Sequence, residues 1–118
     1  MEGKITLTQG GVYLAKLDPV KSSEIGKIRP IAVLTASIIL EIKPEIIFVC
    51  PLSSRSYPEF QALHVELPPR DKLQKTSFAL VEHCRSISLK RLTMPRLAQL
   101  TEKEMTLVLS RLQRMVGL

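Results

Sequence analysis

GVYLAKLDPVKSSEIGKIRPIAVLT, residues 11–35, is the stretch that decides the fold. Two apolar runs, residues 11–17 and 31–35, flank a segment holding a glycine, several cations and a proline, which reads as neighbouring strands joined by a loop. The heart of the loop is SSEIGKIRP, residues 22–30. Gly26 can take backbone angles barred to other residues, and Pro30 fixes its own φ while biasing Arg29 toward an extended conformation. Arg29 thus leaves a loop at the edge of a rigid strand, where a catalytic or binding side chain is well aimed. The same segment also reads as a basic, solvated hairpin tip, since charges collect in turns.

Working outward, the first run carries apolar side chains on both parities, as in a strand covered on both sides, and ends at Asp18-Pro19. Residues 1–9 are polar and irregular. Beyond the second strand, Ser37 is placed to cap a short helical turn over residues 38–42, stopped ahead of Pro44. The unbroken apolar run IIFVC, residues 46–50, predicts the most buried strand. PLSSRSYPEF, residues 51–60, then changes to hydroxyls, an arginine and prolines, which predicts a long loop at the same end as the first.

Residues 63–67 alternate as a strand with one wet face, closed by Pro68-Pro69, and RDKLQK, residues 70–75, reads as a polar hairpin connection. SFALVEHCRSI, residues 77–87, predicts one long strand that leaves the core at Glu82, and residues 88–97 suit a turn and a last short strand. The C-terminal helix is marked by a capping box, Thr101 with Glu104, and by a Leu100–Met105 staple. Met105, Val108, Leu109, Leu112 and Met115 share one face until Gly117. Five to seven strands closed by one helix predict a mainly β fold, a small SH3-like, CcdB-like antiparallel barrel.

The 118 residues are sized for one domain, spanning residues 1–118. Apolar runs break well short of membrane-spanning length, and the start of the chain lacks a signal-peptide pattern, which points to the cytoplasm. Cys50 and Cys84 fall inside apparent strands and read as core residues. A net charge of +6 makes a polyanion the expected partner. Two tyrosines, three phenylalanines and no tryptophan supply a base-stacking platform poorly, so contacts with nucleic acid should lean on phosphates.

Taken in order, GVYLAKLDPV, SEIGKIRPIAVLT, VCPLSS, HVELP, SFALVEHCRSI and the capped TEKEM helix resemble the MazF/PemK family of toxin endoribonucleases, from about Gly11 to the C-terminus. The most specific part is Glu24 with Gly26, Lys27, Arg29 and Pro30. The resemblance implies a barrel related to the gyrase toxin CcdB, a homodimer, and cutting of single-stranded RNA at short sequences without metal or other cofactor. It also implies a cognate antitoxin whose acidic tail occupies the RNA groove. On the family pattern Arg29 neutralises the scissile phosphate, Ser53 stands where threonine is common, and Glu82 falls on a carboxylate that is catalytic in some relatives. Arg85 matches a family arginine and His83 replaces a glutamine. Glu24, Gly26, Lys27, Ser54, Arg55, His83 and Arg85 are the RNA-binding set.

The chemistry agrees with those residue types. Cutting RNA through its own 2′-hydroxyl needs a proton acceptor, charge on the phosphorane and a proton for the leaving oxygen. Arg29 suits the second task, because a guanidinium holds phosphate oxygens in pairs and stays charged. Glu82 suits the first, and Ser53 can hold a nonbridging oxygen or orient the hydroxyl. In a regular strand Glu82 and Arg85 face opposite ways, so both reach one site only if the strand bulges or ends near Cys84. The two also suit a salt-bridged rim, and Ser53 and Ser54 a capped turn. Cys50, His64, His83 and Cys84 match no common zinc spacing. Two other readings stay open: a gyrase-binding poison like CcdB, and a weakly catalytic member that binds RNA or antitoxin.

Overall fold

The computed structural model describes residues 7–17, 27–55 and 57–118. Among these described residues seven strands form one antiparallel sheet: β1 (Gly11–Lys16), β2 (Ile28–Val33), β3 (Ile46–Ser53), β4 (His64–Leu67), β5 (Ser77–Leu80), β6 (Arg85–Ser88) and β7 (Leu92–Gln99). Two α-helices accompany them, the four-residue α1 (Ser37–Leu40) and α2 (Glu102–Met115). The sheet runs β4-β5-β3-β2-β1-β7, with β6 also on β3. It is a barrel-like sheet whose two end strands do not pair.

Apolar residues on both parities of the central strands are buried on both faces. Val12, Ala32, Cys50 and Leu52 join one cluster, with Val65, Val81 and Val108. Their neighbours Tyr13, Ile31, Val33 and Val49 join the other. At about 1.5–3 kcal/mol for each large aliphatic side chain removed from water, these two clusters hold the sheet together.

Two strands are longer than the prolines suggest. β2 starts at Ile28, so Arg29 and Pro30 lie within it, and β3 continues through Pro51 to Ser53. A proline lacks the ladder donor, but Pro30 precedes the stretch paired with β3, which starts at Ile31. Pro51 falls in the gap between the pairings of β3 with β6 and with β5. In each case one neighbouring edge demands no donor. Ser53 is therefore a buried strand residue and not the start of a loop.

The long strand expected over residues 77–87 is two strands. Between the pairs Val49↔Arg85 and Leu52↔Ala79, β3 advances three residues while its neighbour advances six. The three extra residues form the 3-10 turn Val81–His83. Glu82 sits in that turn, so alternation does not govern Glu82 against Arg85.

Ser37 opens α1 without capping it; the cap position is Ala36, and the helix ends at Leu40, ahead of a left-handed residue at Lys43 (φ 52°). In α2 the capping box is formed: Glu104 N–H donates to Thr101 Oγ1 at 3.1 Å and Thr101 N–H to Glu104 Oε1 at 2.9 Å. Val108 is fully buried, with Met105 and Leu112 packed beside it. Leu109 and Met115 are exposed, because the helix meets β4 and the Val81–His83 turn along the narrower stripe of residues 105, 108 and 112. Among the described residues no helix is long and apolar enough to cross a membrane.

Candidate active site

Register brings the two site segments together. The β2–β3 ladder ends at the pair Ile31↔Pro51, and Arg29 and Ser53 each lie two residues beyond it on their own strands. At this end of the strands opens a cleft of about 520 Å³. Lys27, Arg29, Ser53 and Ser54 line it, over the apolar side chains Leu14, Leu52 and Leu97. Ser53 Oγ accepts from Arg55 N–H at 3.0 Å, which leaves the hydroxyl proton free to donate to a ligand. Leu17 N–H donates to Lys27 C=O at 2.9 Å, just beyond the last β1–β2 pair, Lys16↔Ile28. Lys27 takes a left-handed φ of 64°, a conformation that costs a residue with a Cβ and recurs at binding sites.

The opposite wall was not expected to belong to the site. Lys72, Gln74 and Lys75, from the connection between β4 and β5, also line the cleft. Arg70 and Leu73 exchange backbone hydrogen bonds around a two-residue turn with Asp71 at φ 48°, and Lys72 N–H donates to Leu97 C=O at 3.0 Å. Arg70 clamps this hairpin to α2 through both Glu104 oxygens, at 2.5 and 2.6 Å. The signal in the sequence was the charge: three cations within the six residues RDKLQK. With Lys27 and Arg29 the cleft holds four cationic side chains, and among the described residues no carboxylate or imidazole lines it.

A family model described as "PemK-like, MazF-like toxin of type II toxin-antitoxin system" matches residues 8–116. The chain belongs to that family. By that membership it is an endoribonuclease-type toxin of a toxin–antitoxin system. Endoribonuclease MazF of Staphylococcus saprophyticus is 33% identical over 113 residues, covering 95% of this chain and 92% of that protein. The crystal structure of MazF from Deinococcus radiodurans superposes with a TM-score of 0.79 at 23% identity, covering 98% of this chain and all of that one. A MazE–MazF structure from the same organism gives 0.73 at 23% identity, covering 98% and 99%. These superpositions agree with the mainly β fold.

Glu82, His83, Arg85 and Arg55, also matched to the MazF/PemK pattern, are not among the residues that line the cleft. Both Glu82 carboxylate oxygens face His64 Nε2, at 2.9 and 2.8 Å. The His64 side chain is 4% exposed and that of Glu82 17%, so the pair ties the start of β4 to the Val81–His83 turn. His83 ends that turn, and Arg85 donates to Leu17 C=O at 3.4 Å, so the salt-bridged rim of Glu82 with Arg85 is replaced by separate partners. Arg55 stacks over the Tyr57 ring, 5.6 Å from its centroid. Glu24 and Gly26 lie outside the described residues.

Cys50 is buried and Cys84 half-buried, both as free thiols; the adjacent Cys84 thiol and burial push the Cys50 thiol well up, which makes it an unreactive core residue. Among the described residues no three His, Cys, Asp or Glu side chains are grouped as metal ligands would be.

Proposed function

We propose that the chain cuts single-stranded RNA by attack of a 2′-hydroxyl on the adjacent phosphate, without a metal, leaving a 2′,3′-cyclic phosphate and a 5′-hydroxyl. The observation that carries this reading is the cleft itself, which Arg29 and Ser53 line together with three further cations, Lys27, Lys72 and Lys75. In the step, the O2′–P bond forms, the P–O5′ bond breaks, and charge builds on the nonbridging oxygens. Arg29 meets that charge with paired N–H donors, Ser53 donates to one oxygen, and Lys27, Lys72 and Lys75 attract the strand.

The proton acceptor is assigned to Glu24, five residues before Arg29 in the sequence and part of the same family segment, because Glu82 is engaged by His64 and does not line the cleft. Glu82 takes a positioning role through His64, and the departing O5′ is protonated from solvent. His83, Ser54, Arg55 and Arg85 are assigned to contacts with the flanking strand.

Partners follow from the same surface. A cognate antitoxin with an acidic tail suits four cations in one cleft, and a structure of related fold is a MazE–MazF structure. A homodimer is supported by isoleucines left in water between residues 38 and 46: Ile38, Ile42 and Ile46 are 72%, 74% and 56% exposed.

Kinetics of four variants test the assignment. Arg29→Ala should lower kcat by roughly 100-fold or more and Ser53→Ala by less. Glu24→Gln should lose about 100-fold, and Glu82→Gln under tenfold. Full activity in Arg29→Ala would overturn the reading, and a Glu82→Gln loss equal to that of Arg29→Ala, with Glu24→Gln active, would return the base to Glu82.

A further inference from the structure

The chain is poor in aromatic side chains, yet three of its five are collected in one place. Tyr57 and Phe60 come from the β3–β4 connection and Phe78 from β5, and they gather about His64 at the start of β4. The Tyr57 and His64 ring centroids are 6.1 Å apart at 84°, and those of Phe60 and His64 6.2 Å apart at 33°. A pocket of about 170 Å³ opens among Tyr57, His64, Phe78, Gln61 and Glu66. Its size falls below the roughly 300 Å³ at which pockets for drug-sized ligands begin, so it suits a single ring system. The wall is preset, since Glu82 fixes the His64 ring through Nε2 and Arg55 lies over Tyr57. Phe78 is the β-ladder partner of both Ser53 and Glu66, which puts the pocket one strand from the cleft.

From this geometry we infer that the pocket receives one unstacked base of the RNA next to the cut, and that it selects a base bearing an exocyclic amino group over uracil. The inference rests on the endoribonuclease reading above. The aromatic rings supply stacking faces, as single-stranded RNA recognition requires. Glu66 carries an acceptor-only carboxylate, and the Gln61 amide supplies one acceptor and two donors. A carboxylate at the base edge accepts from the amino groups of cytosine, adenine or guanine. Uracil has no amino group, and its one donor on that edge, N3–H, lies between two carbonyl oxygens that repel the carboxylate, so it is disfavoured. Glu66 and Gln61 are exposed, so substituting them tests recognition without disturbing the core.

The experiment is cutting of an RNA library randomised around one site by the wild type, Glu66→Gln, Glu66→Ala and Tyr57→Ala, with the fragments sequenced. The wild type should disfavour uracil at one position beside the cut by about 5- to 150-fold. Both Glu66 variants should lose that preference at that position alone, and Tyr57→Ala should weaken binding of the whole set by about 5- to 150-fold. Identical sequence preferences in all four proteins would overturn the inference. Should the wild type cut nothing, the endoribonuclease reading fails by itself. Binding of four oligonucleotides differing only in that base, each with a 2′-deoxy residue at the cut, then decides the pocket: uracil bound worst supports it, and equal affinity overturns it.

Discussion

Removing the Glu104 carboxylate should destabilise the fold and loosen one wall of the cleft. Glu104 does two things at once: it closes the capping box of α2 and receives both guanidinium nitrogens of Arg70. The two side chains are 15% and 19% exposed, so water screens the pair only in part. A charge-assisted hydrogen bond contributes about 1.5–3 kcal/mol, and partial exposure brings this pair to about 2. Loss of the cap adds about 1 kcal/mol. Glu104→Ala should therefore cost about 3 kcal/mol, a large share of the 5–15 kcal/mol typical of a domain.

The pH dependence has a definite sign. Arg70 beside it holds the Glu104 carboxyl below the usual carboxylate range. A lowered folded pKa contributes stability that is present above the unfolded value, near 4.3, and lost as pH falls through the folded one. With no tryptophan in the chain, urea unfolding followed by far-ultraviolet circular dichroism is the assay. Wild type and Glu104→Gln should differ at pH 7 and converge below pH 4. A Glu104→Ala cost under about 0.5 kcal/mol, or a gap between wild type and Glu104→Gln that persists to pH 2, would refute the reasoning.

Three further outcomes are expected. Replacing Lys72 and Lys75 together by alanine should weaken RNA binding and flatten its salt dependence by nearly two phosphate contacts, measured as the slope of log affinity against log salt. His64→Ala should cost about 1–3 kcal/mol in urea unfolding, because it removes the hydrogen-bond partner of the largely buried Glu82 carboxylate, and an unchanged midpoint would contradict the pairing. Ile42→Asp should turn a dimer into a monomer in analytical ultracentrifugation, and an unchanged mass would move the interface elsewhere.

Short-range signals made much of this fold legible. The capping box of α2 is local chemistry between residues three apart, and it formed as read. The places of β1, β2, β3 and β4 along the chain followed from apolar runs and turn residues. What the sequence hid depends on long-range register. Pro30 and Pro51 looked like strand ends, yet each sits where one neighbour is absent. The Val81–His83 turn is an insertion relative to β3, invisible until the two ladders are compared. The site was legible in the same measure. Arg29 and Ser53 line one cleft because β2 and β3 are neighbours, whereas Lys72 and Lys75 arrive from a hairpin whose place is fixed by Arg70 and Leu97. The His64–Glu82 pair joins residues 18 apart through that same unforeseen turn.

Incubating the purified chain with single-stranded RNA in excess EDTA, beside Arg29→Ala, tests the central claim most directly. Discrete fragments carrying 5′-hydroxyl and cyclic-phosphate ends, absent with Arg29→Ala, are the predicted result. No cutting by folded protein across varied RNAs, cutting that EDTA abolishes, or cutting that persists in Arg29→Ala would contradict it.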